Sequence, residues 1–344
     1  MNASLPVCLG AAPTTSVHDA VSSYAEQGLA PLRDLLTSDR VNEVVINPDG
    51  GIFVEHAGAS HMTRAIEIDM PEHAIRTVGG HLAGETGNAL GEDHPIVSGR
   101  VHVFGADMRV QVVVPPAIER GVSLSIRKYV SHVLDPDAIG FVAGRQLDLD
   151  AGRRERRNAL AEHIRSRDLP ALFRRAVKDR LNILVSGGTS SGKTTVARAL
   201  LALAHSDERL VTIEDAIELR PTHANTVALV ADRREGSDRS ASKLMQSALR
   251  MRPDRLVLGE IRGAEAYDFL EAINTGHPGS ITTIHADSPS LAFERMALMV
   301  MQTGVRLSRA DVIEYARSTI DMIVQVGRRD GARGVLEVRL SDQE

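Results

Sequence analysis

Apolar and polar positions follow two different rhythms along this chain. Up to about Lys128 the apolar residues alternate with polar ones in short runs: NEVVIN (42–47) and IFVEH (52–56) around the turn PDGG, then GRVHVFG, MRVQVVVPP and GVSLSIRK. A period of two, broken by Gly, Pro and Asp, predicts strands with one buried face. PLRDLLTS and residues 71–84 carry helical spacing instead. The prediction is a flexible tail over residues 1–28, then a small α+β domain over 29–128. Residues 129–155 have poor periodicity, a Pro and several Asp, and read as a linker. From residue 156 to 344 apolar runs alternate with helical stretches. LPALFRRAVKDR precedes the strand NILVS, and LVTI, RLVLGE and SITTIHA are separated by helices. That order predicts a parallel sheet with right-handed crossovers, hence an α/β domain. MIVQVGRR–DGAR–GVLEVRL at the end predicts a β-hairpin.

Composition narrows the function. At 344 residues the chain has room for two domains. It has one cysteine, Cys8, which excludes a disulfide framework and a Cys-rich zinc site. A faint lipoprotein-like wording at Leu5–Cys8 lacks the hydrophobic run that lipidation needs. No basic start marks a signal peptide. No apolar run is long enough for a membrane helix, so any membrane role is expected to be peripheral, with a cytoplasmic chain. Net charge is −5 and aromatic residues are 3 %, which argues against a nucleic-acid grip built on a basic field and stacking platforms. Locally, Ala151–Arg180 holds ten Arg/Lys against four Asp/Glu. This is a solvated helix face or a docking surface for acidic headgroups or a partner.

The chemistry starts at residues 187–194, GGTSSGKT. Gly187, Gly188, Thr189, Ser190, Ser191, Gly192, Lys193 and Thr194, with Thr195 behind them, have the phosphate-loop spacing between a strand and a helix. Glycines let backbone N–H groups turn toward phosphate oxygens, and the helix N-terminus faces the same anion. Lys193 can reach the β- and γ-phosphates, and the Thr194 hydroxyl can ligate Mg²⁺. Glu260 ends an apolar strand, where it can orient or deprotonate the attacking water or join the Mg²⁺ shell. Glu214, Asp215 and Glu218 follow another strand. They are either a helix cap with favourable acids or, for Glu214, part of the metal shell. His285 ends the strand SITTIHA, where an imidazole can sense a γ-phosphate; His277 is a weaker candidate. Zinc at His285 is disfavoured, because its only nearby carboxylate is Asp287.

Taken together, GGTSSGKTT, TIEDAIEL, RMRPDRLVLGEIRGAEA and TGHPGSITTIHADSP resemble the secretion-traffic NTPases. The strongest similarity is to the hexameric ATPase of bacterial type IV secretion and conjugation systems, over about residues 30–330. VNEVVINPDGGIFVE and RVQVVVPPAIERGVSLSIRK also look like that family's N-terminal domain. The resemblance implies a RecA-like C-terminal domain and ATP with Mg²⁺ as the bound pair. It assigns Lys193 and Thr194 to phosphate and metal, Glu214 and Asp215 to the Asp box, Glu260 to the Walker B position and His285 to the His box. It places Arg109 and Arg127 near the nucleotide's terminal phosphate; Arg250 and Arg262, which flank the Walker B strand, are candidate subunit-interface residues. It also implies a homohexamer that works with other secretion-apparatus subunits at the inner membrane, powering export or assembly. The linker leaves open whether each N-terminal domain sits over a neighbouring subunit. Related pilus ATPases of the tight-adherence or retraction kind share the core, and a RecA-like nucleic-acid motor is the remaining alternative.

Overall fold

The computed structural model describes residues 23–129, 135–234 and 236–341. Cys8 and the rest of the expected tail before residue 23 lie outside them. The first domain has helices α1 (Tyr24–Gly28), α2 (Arg33–Thr37) and α3 (Glu72–Glu85). Its strands are β1 (Val41–Ile46), β2 (Ile52–His56), β3 (Thr63–Arg64), β4 (Ile96–Val103), β5 (Ala106–Val113) and β6 (Ser123–Lys128). They form an antiparallel sheet in the order β3-β2-β1-β6-β5-β4. Alternate residues, Val44 and Ile46, Val110 and Val112, Leu124 and Ile126, are buried against Ile75, Val78 and Leu82 of α3.

Two expected boundaries are corrected. Residues 24–28 are helix, not tail: Ala25 and Leu29 are buried in this first core, and Ser23 with Glu26 caps the start. Glu26 also accepts a hydrogen bond from the Phe104 backbone N–H at 2.6 Å, tying α1 to the β4–β5 turn. At the other end, α4 (Leu149–Arg165) begins inside the expected linker, capped by Asp148 on the Ala151 N–H at 2.8 Å. Its apolar contacts are sparse, with Leu160 buried and Ile164 half-buried against the core, so the intervening arginines hide the helical period.

The second domain continues with α5 (Leu169–Lys178), β7 (Ile183–Gly187), α6 (Lys193–Leu201), β8 (Leu210–Glu214) and β9 (Thr226–Val230). Then come α7 (Ala241–Ala248), β10 (Arg255–Ile261), α8 (Glu265–Asn274), β11 (Ile281–Ile284), α9 (Pro289–Met301), α10 (Arg309–Thr319) and the hairpin β12 (Met322–Arg329) and β13 (Ala332–Leu340). The sheet order is β13-β12-β7-β11-β10-β8-β9, parallel except for the hairpin's last strand. Its strands are apolar on both faces because helices cover both. Leu184, Leu256 and Leu258 pack into one core with α7–α10, while Ile183, Val185 and Val257 pack into another with α4–α6.

The first domain packs on the second domain of the same chain. Gln111 donates to Ser247 at 2.9 Å, Asn47 to Asn225 at 3.0 Å, Arg252 to Glu55 at 2.6 Å, and the Val230 N–H to the Ala117 carbonyl at 2.8 Å. Val113, Ala117 and Ile118 enter the larger domain's core.

Candidate active site

The parallel strands β7, β8, β10 and β11 end on one side of the sheet, and a cavity of about 700 Å³ opens there. Ligands of such sheets bind beyond the strands' carboxyl ends. Gly187 closes β7: a Cβ on it would lie 2.4 Å from the Val326 carbonyl oxygen and 2.6 Å from Ser191 Oγ. The chain then turns through Ser190 (φ 56°) and Gly192 (φ 99°) into α6, a backbone of the kind that can wrap N–H groups around an anion. Ser191 Oγ is buried without a hydrogen-bond partner. That orphaned hydroxyl, the turned backbone and a helix N-terminus fit a polyphosphate.

Thr189 through Thr195 line the cavity, together with Glu214, Asp215, Glu218, Glu260, Arg262 and His285. Lys193 Nζ donates to the carbonyls of Gly187 (3.0 Å) and Gly188 (2.9 Å), and sits 3.3 Å from His285 Nδ1. Gly187 and Gly188 thus brace the lysine from behind the cavity wall. Partial burial holds the Lys193 ammonium below its ordinary range, opposed by Glu260. His285 Nε2 is 2.6 Å from Glu260 Oε1, an approach close enough for ion pairing but not aligned as a hydrogen bond. Burial lowers the His285 pKa; Glu260 works against this, and Lys193, Arg262 and Arg295 reinforce it. These effects favour the uncharged imidazole, which can accept or relay a proton.

Glu214 is buried at the end of β8. One of its oxygens accepts from the Glu218 and Leu219 N–H groups at 2.9 Å each, and the other from the Thr212 hydroxyl at 3.2 Å. Burial raises its pKa against those bonds. It fastens the 215–219 loop that forms one wall of the cavity. A Cβ on Gly259 would stand 2.9 Å from Glu214 Cγ, so the glycine lets Glu214 and the end of β10 share the floor.

Other candidates lie elsewhere. Arg109 and Arg127 do not line this cavity; they stand in the first domain's sheet. Arg109 is directly opposite both Arg100 and Arg127 in the strand register. Arg109 lies over the Tyr129 ring and donates to its hydroxyl at 3.3 Å. Arg100 is ion-paired with Asp107, which offsets part of the repulsion among the three guanidinium groups. His277 is half-buried near the Pro253 carbonyl (3.3 Å), outside the cavity. Arg250 is not a lining residue, whereas Arg262 is. Arg233 and Arg333 line the cavity unanticipated. Their signal is weak: Arg233 follows β9, whose short TVALV run is a faint strand pattern, and Arg333 is the second residue of β13, opposite Arg328, where the spacing predicts the hairpin's turn.

A family model described as "Type II/IV secretion system protein" matches residues 145–328. The type IV secretion system protein VirB11 of Brucella suis is 35 % identical over 323 residues, covering 90 % of this chain and 88 % of the relative. A putative conjugal transfer protein of Mycobacterium tuberculosis is 33 % identical, covering 92 % and 85 %. The chain belongs to the type II/IV secretion system family. It is a secretion ATPase, and the resemblance read from its motifs holds. The crystal structure of the VirB11 ATPase from the Brucella suis type IV secretion system, in complex with sulphate, superposes with a TM-score of 0.80 at 31 % identity, over 92 % of this chain and 94 % of that one. The secretion ATPase has the expected mixed α/β architecture with a parallel-containing sheet. Among its described residues no helix is long and apolar enough to cross a membrane.

Proposed function

We propose that this ATPase is a homohexameric motor of a type IV secretion or conjugation apparatus, working at the cytoplasmic face of the inner membrane. The observation that carries the reading is the convergence of Lys193, Glu260 and His285 on the cavity beside the phosphate loop. Lys193 and the N-terminus of α6 hold the triphosphate. Glu260, at the mouth of the β10 end, orients or deprotonates the attacking water. His285, beside both, senses the γ-phosphate and steadies the carboxylate. Among the described residues no group of three or more His, Cys, Asp and Glu side chains is placed to hold a metal alone. Mg²⁺ fits here in the phosphate-loop manner, with Thr194 and Glu260 beside phosphate and water oxygens, and it would neutralise charge on the leaving phosphates. Glu214, occupied by backbone donors, serves that shell indirectly.

Arg109 and Arg127 do not line their own chain's cavity, so we assign them to the terminal phosphate held by a neighbouring subunit. Each hydrolysis would then release a contact between subunits, which supplies the two-state element a motor needs. Contacts with other secretion subunits and a peripheral membrane belong to the same reading. Direct grip on nucleic acid does not, given 3 % aromatic residues.

Mixed rings test the assignment. Lys193→Ala and Arg109→Ala subunits, each inactive alone, should regain hydrolysis when mixed, because one contributes the phosphate loop and the other the arginine. Failure of every mixture to recover turnover would return the arginines to their own chain.

A further inference from the structure

We infer that Arg262 is a positioning residue for Glu260, held in place by a chain of charge through Asp215 to Arg233. This rests on the reading of Glu260 as the hydrolytic carboxylate. Arg262 Nε and Nη2 both contact Glu260 Oε2, from a side chain two positions along the same strand end. Arg262 Nη1 lies 3.5 Å from Asp215 Oδ2, and the same oxygen receives Arg233 Nε. Four segments that are remote in sequence therefore close one network: the end of β8, the loop after β9, the end of β10 and, through His285, the end of β11.

The backbone beneath Arg262 is fixed as well. Glu265, buried at the start of α8, accepts from the Arg262 N–H at 2.8 Å and the Gly263 N–H at 3.1 Å. The pairing of β10 with β11 shifts register between Leu258 and Ile261, which takes Glu260 out of the regular ladder. Bulges re-aim side chains in this way. A carboxylate freed from its ladder needs another constraint. Arg262 supplies it on one oxygen while His285 flanks the other.

An isolated Arg–Glu contact at a half-exposed site contributes little. Here Glu260 is only 14 % exposed, and the guanidinium is itself tethered by Asp215. A planar fork fixes orientation in a way an ammonium does not. The network places Arg262 at the cavity as support for the catalytic carboxylate.

The test compares full-length variants for turnover, for binding of a non-hydrolysable ATP analogue and for ring size by light scattering. Arg262→Gln should lower kcat by about tenfold or more, with analogue Kd changed by no more than about threefold and ring size unchanged. Arg262→Lys should recover only part of the loss. Asp215→Asn should lower kcat less, and the double variant should be no worse than Arg262→Gln alone, because both act through one contact. Full additivity, unchanged kcat, or a loss that tracks ring dissociation would overturn the positioning role. Should Arg262→Gln not fold, Asp215→Asn with unchanged kcat overturns it equally. Wild-type turnover in Glu260→Gln would instead overturn the assignment of Glu260 itself.

Discussion

Gly187 shows how narrow the tolerance is at single residues of the site. The Val326 carbonyl that blocks its missing Cβ belongs to the backbone of β12, a parallel neighbour of β7, so it cannot swing aside. Gly187→Ala should displace the start of the phosphate loop, and analogue titration should show affinity weakened by about tenfold or more. Unchanged affinity would mean that the strand end yields without moving the loop. Most of the phosphate loop, Glu260 and His285 were legible in the sequence, because each sits where a strand pattern stops and a functional side chain follows. Arg233 and Arg333 were not. Arg233 reaches the cavity from the loop after β9 and Arg333 from the start of β13, and where those segments lie depends on which strands neighbour one another, an order not written in local spacing.

Among elements, the two sheets were legible where runs were long. The weakly patterned ones were missed or trimmed. β9 is only five residues with half-exposed alternate positions, and the first turns of α4 are masked by arginines. An element-scale feature hidden from the sequence is the anchor between α5, β10 and the loop before β8. Arg255 and Glu208 are both almost fully buried, and Arg255 also donates to the carbonyls of Val177 (2.8 Å) and Gly279 (3.1 Å). Removing one member leaves an uncompensated buried charge. Arg255→Met should cost about 3–5 kcal/mol in denaturant unfolding. A change below about 1 kcal/mol would show that Glu208 finds another partner, Arg180 being the nearest alternative.

At the scale of the whole molecule, the contact between domains mixes amide, apolar and charged groups. Glu43 on β1 is buried there, and burial pushes its pKa up to about 7, moderated by Arg127, Arg209 and Arg252 and reinforced by Glu55. In the unfolded chain the same carboxyl ionises near 4.5. The folded state therefore holds the proton more tightly, and the stability tied to Glu43 is full below about 4.5 and lost as pH rises through about 7. Thermal midpoints measured across this window should fall less steeply with pH in Glu43→Gln than in the unaltered protein. Equal slopes would show that Glu43 titrates alike in both states. Domain contacts of this sort join residues such as Asn47 and Asn225, far apart in sequence, and no local pattern announces them.

The central claim is that the cavity beside the phosphate loop hydrolyses ATP and that Lys193 is indispensable to it. The most direct test is steady-state phosphate release by the purified full-length chain with Mg²⁺ and ATP, beside Lys193→Ala at matched concentration and ring size. The account predicts turnover in the first and background in the second. Turnover retained in Lys193→Ala would contradict it.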